Sequence, residues 1–398
     1  MVWLLPAALL AALHLHPLWT YHAPRWITST PTVAGGLVYA GVWNGTVVAL
    51  EGTDGHLRWS AQLGANPDEL YGEPRGVTSS IAVKSGIAYA VSGSCRAGAF
   101  DAGTGRIVWE RTVCSIARND DTYASPMVAD GLVLIGIDQL GDRPTDRGSL
   151  LALDARTGAT RWQLFPGRYP GTGTGISATP LVDGRQGIGY VGTGNPTPIA
   201  APPPGPDLYS ESILAFDLRS GAIRWAFGPV HPHDMHDRDL FASPNRFSIG
   251  MREVIGEGGK DGTYYAVDAR TGHLIWKTAL EPDDPYASII GSAACDGHRV
   301  FVPVFAGAHG ALVALSQRNG HILWRAPLAG VYEAPALFGN VVFAVDVGGT
   351  LCAFDVASGR RLLTMHVRGR SYGRGPRVSG TRLYVTAGST LRAYAITR

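Results

Sequence analysis

The sequence predicts an all-β fold, an eight-bladed β-propeller whose ring is closed by its own N-terminal strand. Three observations predict it. One phrase recurs seven times at a fixed internal spacing, a further pair of strand signals precedes each copy, and an eighth unit stops short of its last strand while the N-terminal segment carries such a strand alone.

The phrase reads VVALEGTDGHLRW ending at Trp59, AGAFDAGTGRIVW at Trp109 and LLALDARTGATRW at Trp162. It continues as ILAFDLRSGAIRW at Trp225, YYAVDARTGHLIW at Trp276 and LVALSQRNGHILW at Trp324, and the seventh copy, LCAFDVASGRRLL, has Leu363 in place of the Trp. Each of these residues follows a glycine by four positions (Gly55, Gly105, Gly158, Gly221, Gly272, Gly320 and Gly359), and an acid precedes that glycine by four in every copy except the sixth, which has Ser316. The spacing predicts a hairpin. An alternating strand buries every second residue, the acid binds turn amides, glycine takes positive φ, and the returning strand delivers the Trp between adjacent sheets.

The upstream pairs, such as SPMVADGLVLIGI at 125–137 and APALFGNVVFAVDV at 334–347, bring each unit to four strands, one blade. The eighth unit, 376–396, lacks a Trp strand, and LWTY at 18–21 is a Trp strand with no hairpin before it. Pairing the two closes the ring and removes the open sheet edges. The division is therefore residues 1–16, a signal segment or N-terminal helix, and 17–398, the propeller. The apolar run VWLLPAALLAAL at 2–13 has the length of a signal core and is too short to span a bilayer.

Composition narrows the function. With 398 residues, net charge +2, 17% charged and 45% hydrophobic residues, the chain has no field that draws nucleic acid, and 52 Gly with 26 Pro suit many tight turns. Cys95, Cys114, Cys295 and Cys352 have no metal-site spacing. They read as buried thiols, with a Cys95–Cys114 bridge between neighbouring units as the alternative.

Propeller function resides where units lengthen. The third unit inserts DQLGDRPTDR at 138–147, and the fourth inserts 194–211 with GNPTP and APPPGP, followed by HPHDMHDRD at 231–239. Asp237 and Asp239 put two carboxylates on one side of an extended segment, which suits a hard cation such as calcium. Lys260, in GEGGKDGTYYAVD, has little bulk beside it and can reach the channel. The bland alternatives are a polar surface loop and a solvated turn lysine.

The A-x-D-x-x-T-G-x-x-x-W phrase resembles the tryptophan-docking repeat of the quinoprotein propellers that bind pyrroloquinoline quinone (PQQ), over residues 18–398. That repeat is shared with non-catalytic propellers, including an outer-membrane assembly factor. YVGTGNPTP at 190–198 looks like the family's G-T-G-N-P segment, implying that Asn195 offers an amide oxygen to a metal. HDMHDRDL at 233–240 is similar to H-D-x-W-D-x-D, implying Asp237 as catalytic base and metal neighbour, with Asp239 accompanying lanthanide use in some members. GGKDGTYYAVD resembles the polyvinyl-alcohol dehydrogenase branch, in which the lysine, here Lys260, contacts the quinone.

The chain also departs from the pattern. Gln139 stands at the family's metal-binding Glu, with Asp138 and Asp142 nearby. The Trp that forms the floor under the quinone is absent from TGTGISATP, where Ile176 is the nearest candidate, and there is neither an adjacent Cys pair nor a CxxCH haem site.

The resemblance implies an extracytoplasmic, PQQ-dependent oxidoreductase that oxidises a small or polymeric alcohol. It implies calcium or a lanthanide held among Asn195, Asp237, Asp239, Asp138 and Gln139, PQQ held by Lys260, Asn195 and Ile176, and an external electron acceptor. No nucleic acid and no transmembrane span are expected. The second reading is a non-catalytic propeller acting as a binding or assembly scaffold.

Overall fold

Each unit forms one four-stranded antiparallel blade. The computed structural model describes residues 12–70, 72–139, 147–167, 175–196, 209–229, 236–280, 288–306, 309–332, 334–367 and 375–398. In blade 1 the strands run Thr32–Ala34, Leu37–Gly41, Thr46–Glu51 and Leu57–Gln62, hydrogen-bonded in that order from the channel outward. Eight such blades are present among the described residues, the third gaining Asp120–Asp121 as an added short strand. In the eighth, Arg377–Ser379, Arg382–Ala387 and Thr390–Thr397 are completed by His14–His22 as the outermost strand, with Trp19 opposite Ala393. That strand starts at His14, so residues 14–16 belong to the propeller rather than to the segment before it.

The third strand of a blade is buried on both faces, not on alternate residues as the pattern suggests. All six residues of Ser149–Asp154 are buried. Leu150 and Ala152 join the core shared with the next blade, while Leu151 and Leu153 join the core shared with the previous one. A blade sandwiched between two others has no solvent face to leave polar.

The tryptophans connect the blades. Each docking Trp Nε1 donates to the carbonyl just after the turn acid of the next blade, or after Ser316 in blade 6: Trp19 to Gly52 (3.1 Å), Trp59 to Ala102 (2.9 Å), Trp109 to Ala155 (2.9 Å) and Trp162 to Leu218 (3.0 Å). Trp225, Trp276 and Trp324 repeat the bond to Ala269, Gln317 and Val356. Each ring lies on the turn glycine of that next blade. At Gly105 φ is +73°, and a Cβ there would stand 2.6 Å from Trp59, so left-handed backbone and ring contact both demand glycine. Leu363 has a matching cause. Blade 8 is built from the two ends of the chain, so no turn joins its third and outermost strands, and a Trp from blade 7 would have nothing to dock on.

A second lattice, unread in the sequence, runs around the inner strands. Ser80 N donates to Ser125 Oγ (3.0 Å), Ser125 N to Thr179 Oγ1 (3.0 Å), Thr179 N to Ser243 Oγ (2.9 Å) and Ser243 N to Ser292 Oγ (3.1 Å). The equivalent of these hydroxyl residues in blade 7 is Ala334, which has none to offer.

Cys95 and Cys114 form a disulfide. They flank Arg96–Asp101 and Ile107–Thr112 of blade 2, so the bridge clips one outer hairpin rather than joining two units. Cys295 and Cys352 are free thiols.

Docking and backbone strain separate in a pair of substitutions. Gly86→Ala meets only left-handed backbone, since nothing lies within 4 Å of its Cβ, and is expected to cost about 1–2 kcal/mol. Gly105→Ala adds the clash with Trp59 and should cost about 1–3 kcal/mol more. Equal denaturation midpoints for the two variants would remove the docking argument.

Candidate active site

Loops between the second and third strands, and crossings from an outermost strand to the next innermost one, emerge on the same face. Asp138 is the penultimate residue of the second strand of blade 3 (Leu132–Gln139), and Asn195 follows that of blade 4 (Ile188–Gly192). Lys260 follows that of blade 5 (Arg252–Gly258). Asp237 and Asp239 lie on the crossing between Ile223–Phe227 and Asn245–Ile249.

Asn195, Asp237, Asp239 and Lys260 meet. Lys260 Nζ lies 2.8 Å from Asp237 Oδ2 and 3.0 Å from Asp239 Oδ1. Asn195 Nδ2 donates to Asp237 Oδ1 (2.8 Å), and its Oδ1 accepts from Arg238 N (3.2 Å). Lys260 N donates to Asp239 O (2.9 Å), and the ammonium sits 4.8 Å from the centre of the Phe241 ring.

The two aspartates differ in access. The Asp237 side chain is 52% exposed and that of Asp239 12%, so only Asp237 is open to an incoming molecule. Burial pushes the Asp239 carboxyl up to about 7; Lys260 opposes this, and the like charges of Asp237 and Asp138 add to it. Burial works to lower the Lys260 ammonium, yet Asp239 and Asp237 together carry it well above its ordinary value. The aspartates thus hold the lysine as a cation.

Asp138 is bonded to Ser177 Oγ across the gap between blades 3 and 4. Ile176 is elsewhere. Its side chain is fully buried in the core between those blades, and its N donates to Ile137 O (3.1 Å), leaving no exposed surface for a ring to rest on. Val77, Leu240, Ile289 and Val331 occupy the same position in other blades and are equally buried. The neighbouring position, held by Ser177, faces the mouth; a slip of one residue along an extended segment exchanges core for channel. Gln139 pairs through its backbone with Asp120, and its side chain lies outside the described residues, as do 140–146, 197–208 and 230–235.

Several polar residues of the mouth escaped the sequence reading. The first crossing carries a hairpin, Asn66–Leu70 with Glu73–Arg75. Arg75 Nε faces Asp121 Oδ2 at 3.1 Å, with both side chains below 5% exposure. Buried Asn66 Nδ2, Thr78 Oγ1 and Thr122 Oγ1 make no hydrogen bond, while the Arg75 nitrogens are met by the ion pairs with Asp121 and, at 3.9 Å, with Asp68. Glu257, fully buried on blade 5, has neither oxygen bonded, and burial followed by the charge of Asp239 holds it well above the usual carboxylate range. The available signal was the small-Ser/Thr-Pro phrase that recurs ahead of the inner strands of blades 1, 3, 4 and 5 (TSTP, ASP, SATP, ASP).

The residues suit two kinds of ligand. Orphaned buried donors on blades 1–3 fit a flat anionic molecule, since a buried donor without a partner is costly. Asp138, Asp237, Asp239 and the Asn195 amide are hard oxygens with surplus negative charge, which fits a hard cation in kind. No group of three or more His, Cys, Asp or Glu among the described residues is gathered closely enough to grip one unaided.

A family model described as "Glucose/ethanol/alcohol dehydrogenase, beta-propeller domain" matches residues 12–284, and one described as "Outer membrane protein assembly factor BamB" matches 260–395. Quinohemoprotein alcohol dehydrogenase of Comamonas testosteroni is 26% identical over 73% of this chain and 47% of its own length. Lupanine 17-hydroxylase [cytochrome c] of Pseudomonas sp is 25% identical over 64% of this chain and 43% of its own. The chain thus spans less than half the length of these relatives. Among solved structures, a europium-containing methanol dehydrogenase superposes with TM-score 0.81 at 17% identity, covering 96% of this chain and 93% of its own. BamB from Moraxella catarrhalis superposes with TM-score 0.70 at 16% identity, covering 96% and 100%. At these identities the likeness shows the fold.

The buried Asp121 supplies a pH test. Burial raises its carboxyl to about 6 against the opposing charge of Arg75. The folded protein therefore holds this proton more tightly than the unfolded chain, and stability from this residue falls as pH rises from about 4 to about 7. Asp121→Asn should gain on the wild type by about 2–3 kcal/mol between pH 4.5 and pH 8 in urea denaturation. A pH-independent difference would reject the assignment.

Proposed function

The chain belongs to the glucose/ethanol/alcohol dehydrogenase β-propeller family, and from that premise we propose that it oxidises an alcohol with PQQ and a hard cation bound at the mouth, Asp237 acting as base. The observation that carries this reading is the Asn195–Asp237–Lys260 contact chain, in which the carboxylate reachable from outside is held by an amide and an ammonium from two different loops.

PQQ, when bound, would supply the hydride acceptor, and calcium or a lanthanide the Lewis acidity that polarises it. The chain's residues do the rest. Asp237 takes the hydroxyl proton of the alcohol at a carboxylate oxygen. Lys260, kept protonated by Asp237 and Asp239, meets negative charge developing on the acceptor. Asn195 orients Asp237 through its Nδ2 and offers Oδ1 to the cation, with Asp239 and Asp138 as its charged partners. Arg75, Thr78, Thr122 and Asn66 present donors to the anionic rim of the quinone. Ile176, packed in the core, has no part in this arrangement.

The Cys95–Cys114 disulfide favours an oxidising, extracytoplasmic compartment. An external acceptor would take up the electrons. The second reading, a binding or assembly scaffold, draws on the assembly-factor match over 260–395.

Purified protein loaded with PQQ and calcium or lanthanum should reduce an artificial dye with short alcohols or polyvinyl alcohol. Asp237→Ala should lower turnover by at least about 100-fold while quinone stays bound. Full activity in the variant would exclude Asp237 as base, and folded protein that binds no quinone would leave the scaffold reading.

A further inference from the structure

The mouth is chemically divided, and its apolar arc stands beside Lys260. One position recurs ahead of the inner strands of blades 1–7, two residues before the position of the hydroxyl lattice, which in blade 7 is held by Ala334. It is held by Thr28, Thr78, Tyr123 and Ser177 in blades 1–4, and by Phe241, Ile290 and Tyr332 in blades 5–7. Arg75, Asp121 and Asp138 belong to the first arc. The second arc is aromatic and aliphatic, and its three residues are part-buried, as is Tyr123, the one aromatic residue of the first arc.

Phe305, from the loop after the second strand of blade 6 (Arg299–Val304), extends that arc. Its ring stacks on Tyr332, with centroids 4.3 Å apart and planes at 25°. The pair is tied to Lys260 through one residue. Ser288 Oγ donates to Lys260 O (3.2 Å), Ser288 N to Phe305 O (2.7 Å), and Phe305 N to Ser288 O (2.9 Å). Ile289 N donates to Gly259 O (3.1 Å), so Ile290 and the stacked rings are carried on the same framework as the ammonium that holds Asp237. Phe305 and Tyr332 are part-buried and belong to none of the blade-interface cores that hold the docking tryptophans; their stack does not seal a core.

We propose that Phe305, Tyr332 and Ile290 form the wall that receives the carbon skeleton of the alcohol, and that the preferred substrate carries an aromatic ring or a comparably broad apolar group. The inference rests on the dehydrogenase reading above for the fate of the hydroxyl. A ring laid against the outer face of the Phe305–Tyr332 stack extends an arrangement already formed, and its hydroxymethyl group is directed toward Asp237 across Lys260. An alcohol of one or two carbons has no surface to place there. Phe305 and Tyr332 act as specificity determinants, with no part in proton transfer.

The test compares benzyl alcohol with ethanol in wild type, Phe305→Ala and Tyr332→Phe, each loaded with PQQ and calcium. It reads dye reduction, equilibrium binding of benzyl alcohol by calorimetry, and bound quinone per chain. Phe305→Ala should weaken benzyl alcohol binding and lower its kcat/KM by about tenfold, with ethanol kinetics and quinone content unchanged, and Tyr332→Phe, which keeps the ring, should match the wild type. Equal losses for both alcohols, or loss of quinone, would overturn the proposal by making Phe305 a cofactor or folding residue. Benzyl alcohol binding that weakens in Phe305→Ala without turnover of any alcohol would uphold the wall and refute the dehydrogenase reading. Absence of benzyl alcohol binding to the wild type would reject the wall whatever the activity.

Discussion

The contact on which this molecule depends is the tryptophan of one blade lying on the turn glycine of the next. A four-stranded blade is apolar on both faces and has no stable existence alone; it is stabilised by what covers it. The indole supplies broad apolar cover, and its N–H fixes the register through a carbonyl that follows the turn acid or, in blade 6, Ser316. The acid shapes the turn, as at Asp154, where Oδ1 accepts from Thr157 N (2.8 Å) and Thr157 Oγ1 (2.9 Å). Acid, glycine and tryptophan are therefore parts of one joint divided between two blades.

The joint explains why the ring closes as it does. Trp19, on the N-terminal strand, docks on Gly55 of blade 1 and so joins the last blade to the first. The one seam without a docked indole lies between blades 7 and 8, where the receiving turn is replaced by the chain ends. That seam is filled by aliphatic packing instead, with Leu13, Val367 and Ile396 buried in it and Leu363 and Met365 against them.

Rigid joints on the outside allow the channel mouth to hold unfavourable chemistry. Asp138, Asp237, Asp239, Glu257 and Asp121 crowd one end of the channel, facing few cations, with Arg75 and Lys260 the nearest. Burial first, with the like charge of Asp138 adding to it, raises Asp239 to about 7 and Asp121 to about 6. Side chains that repel one another in this way persist where the backbone that carries them is over-determined, and here the hydroxyl lattice between Ser80 and Ser292 lies directly behind them. Free energy from the blade interfaces offsets the strain of a site prepared for ligands of opposite charge.

Much of this was legible in the sequence because a repeat multiplies weak signals. Seven copies of an acid, a glycine and a tryptophan determined the blade, the eightfold count and the closing strand, since each residue type answers a local demand of a turn or a broad interface. The lengthened loops and the D-x-D and G-G-K segments likewise pointed to Asn195, Asp237, Asp239 and Lys260, because loops that depart from a repeat are free of its packing. Tertiary structure alone decided which side chains face one another. Ile176 and Ser177 are adjacent in sequence, yet one is core and the other channel, a choice set by how the next blade packs. Cys95 and Cys114, 19 residues apart, meet because a hairpin folds back on itself. Arg75 meets Asp121 because packing of neighbouring blades sets consecutive crossings side by side, and Phe305 meets Tyr332 because it sets a crossing beside the preceding blade's loop; no local pattern encodes either proximity.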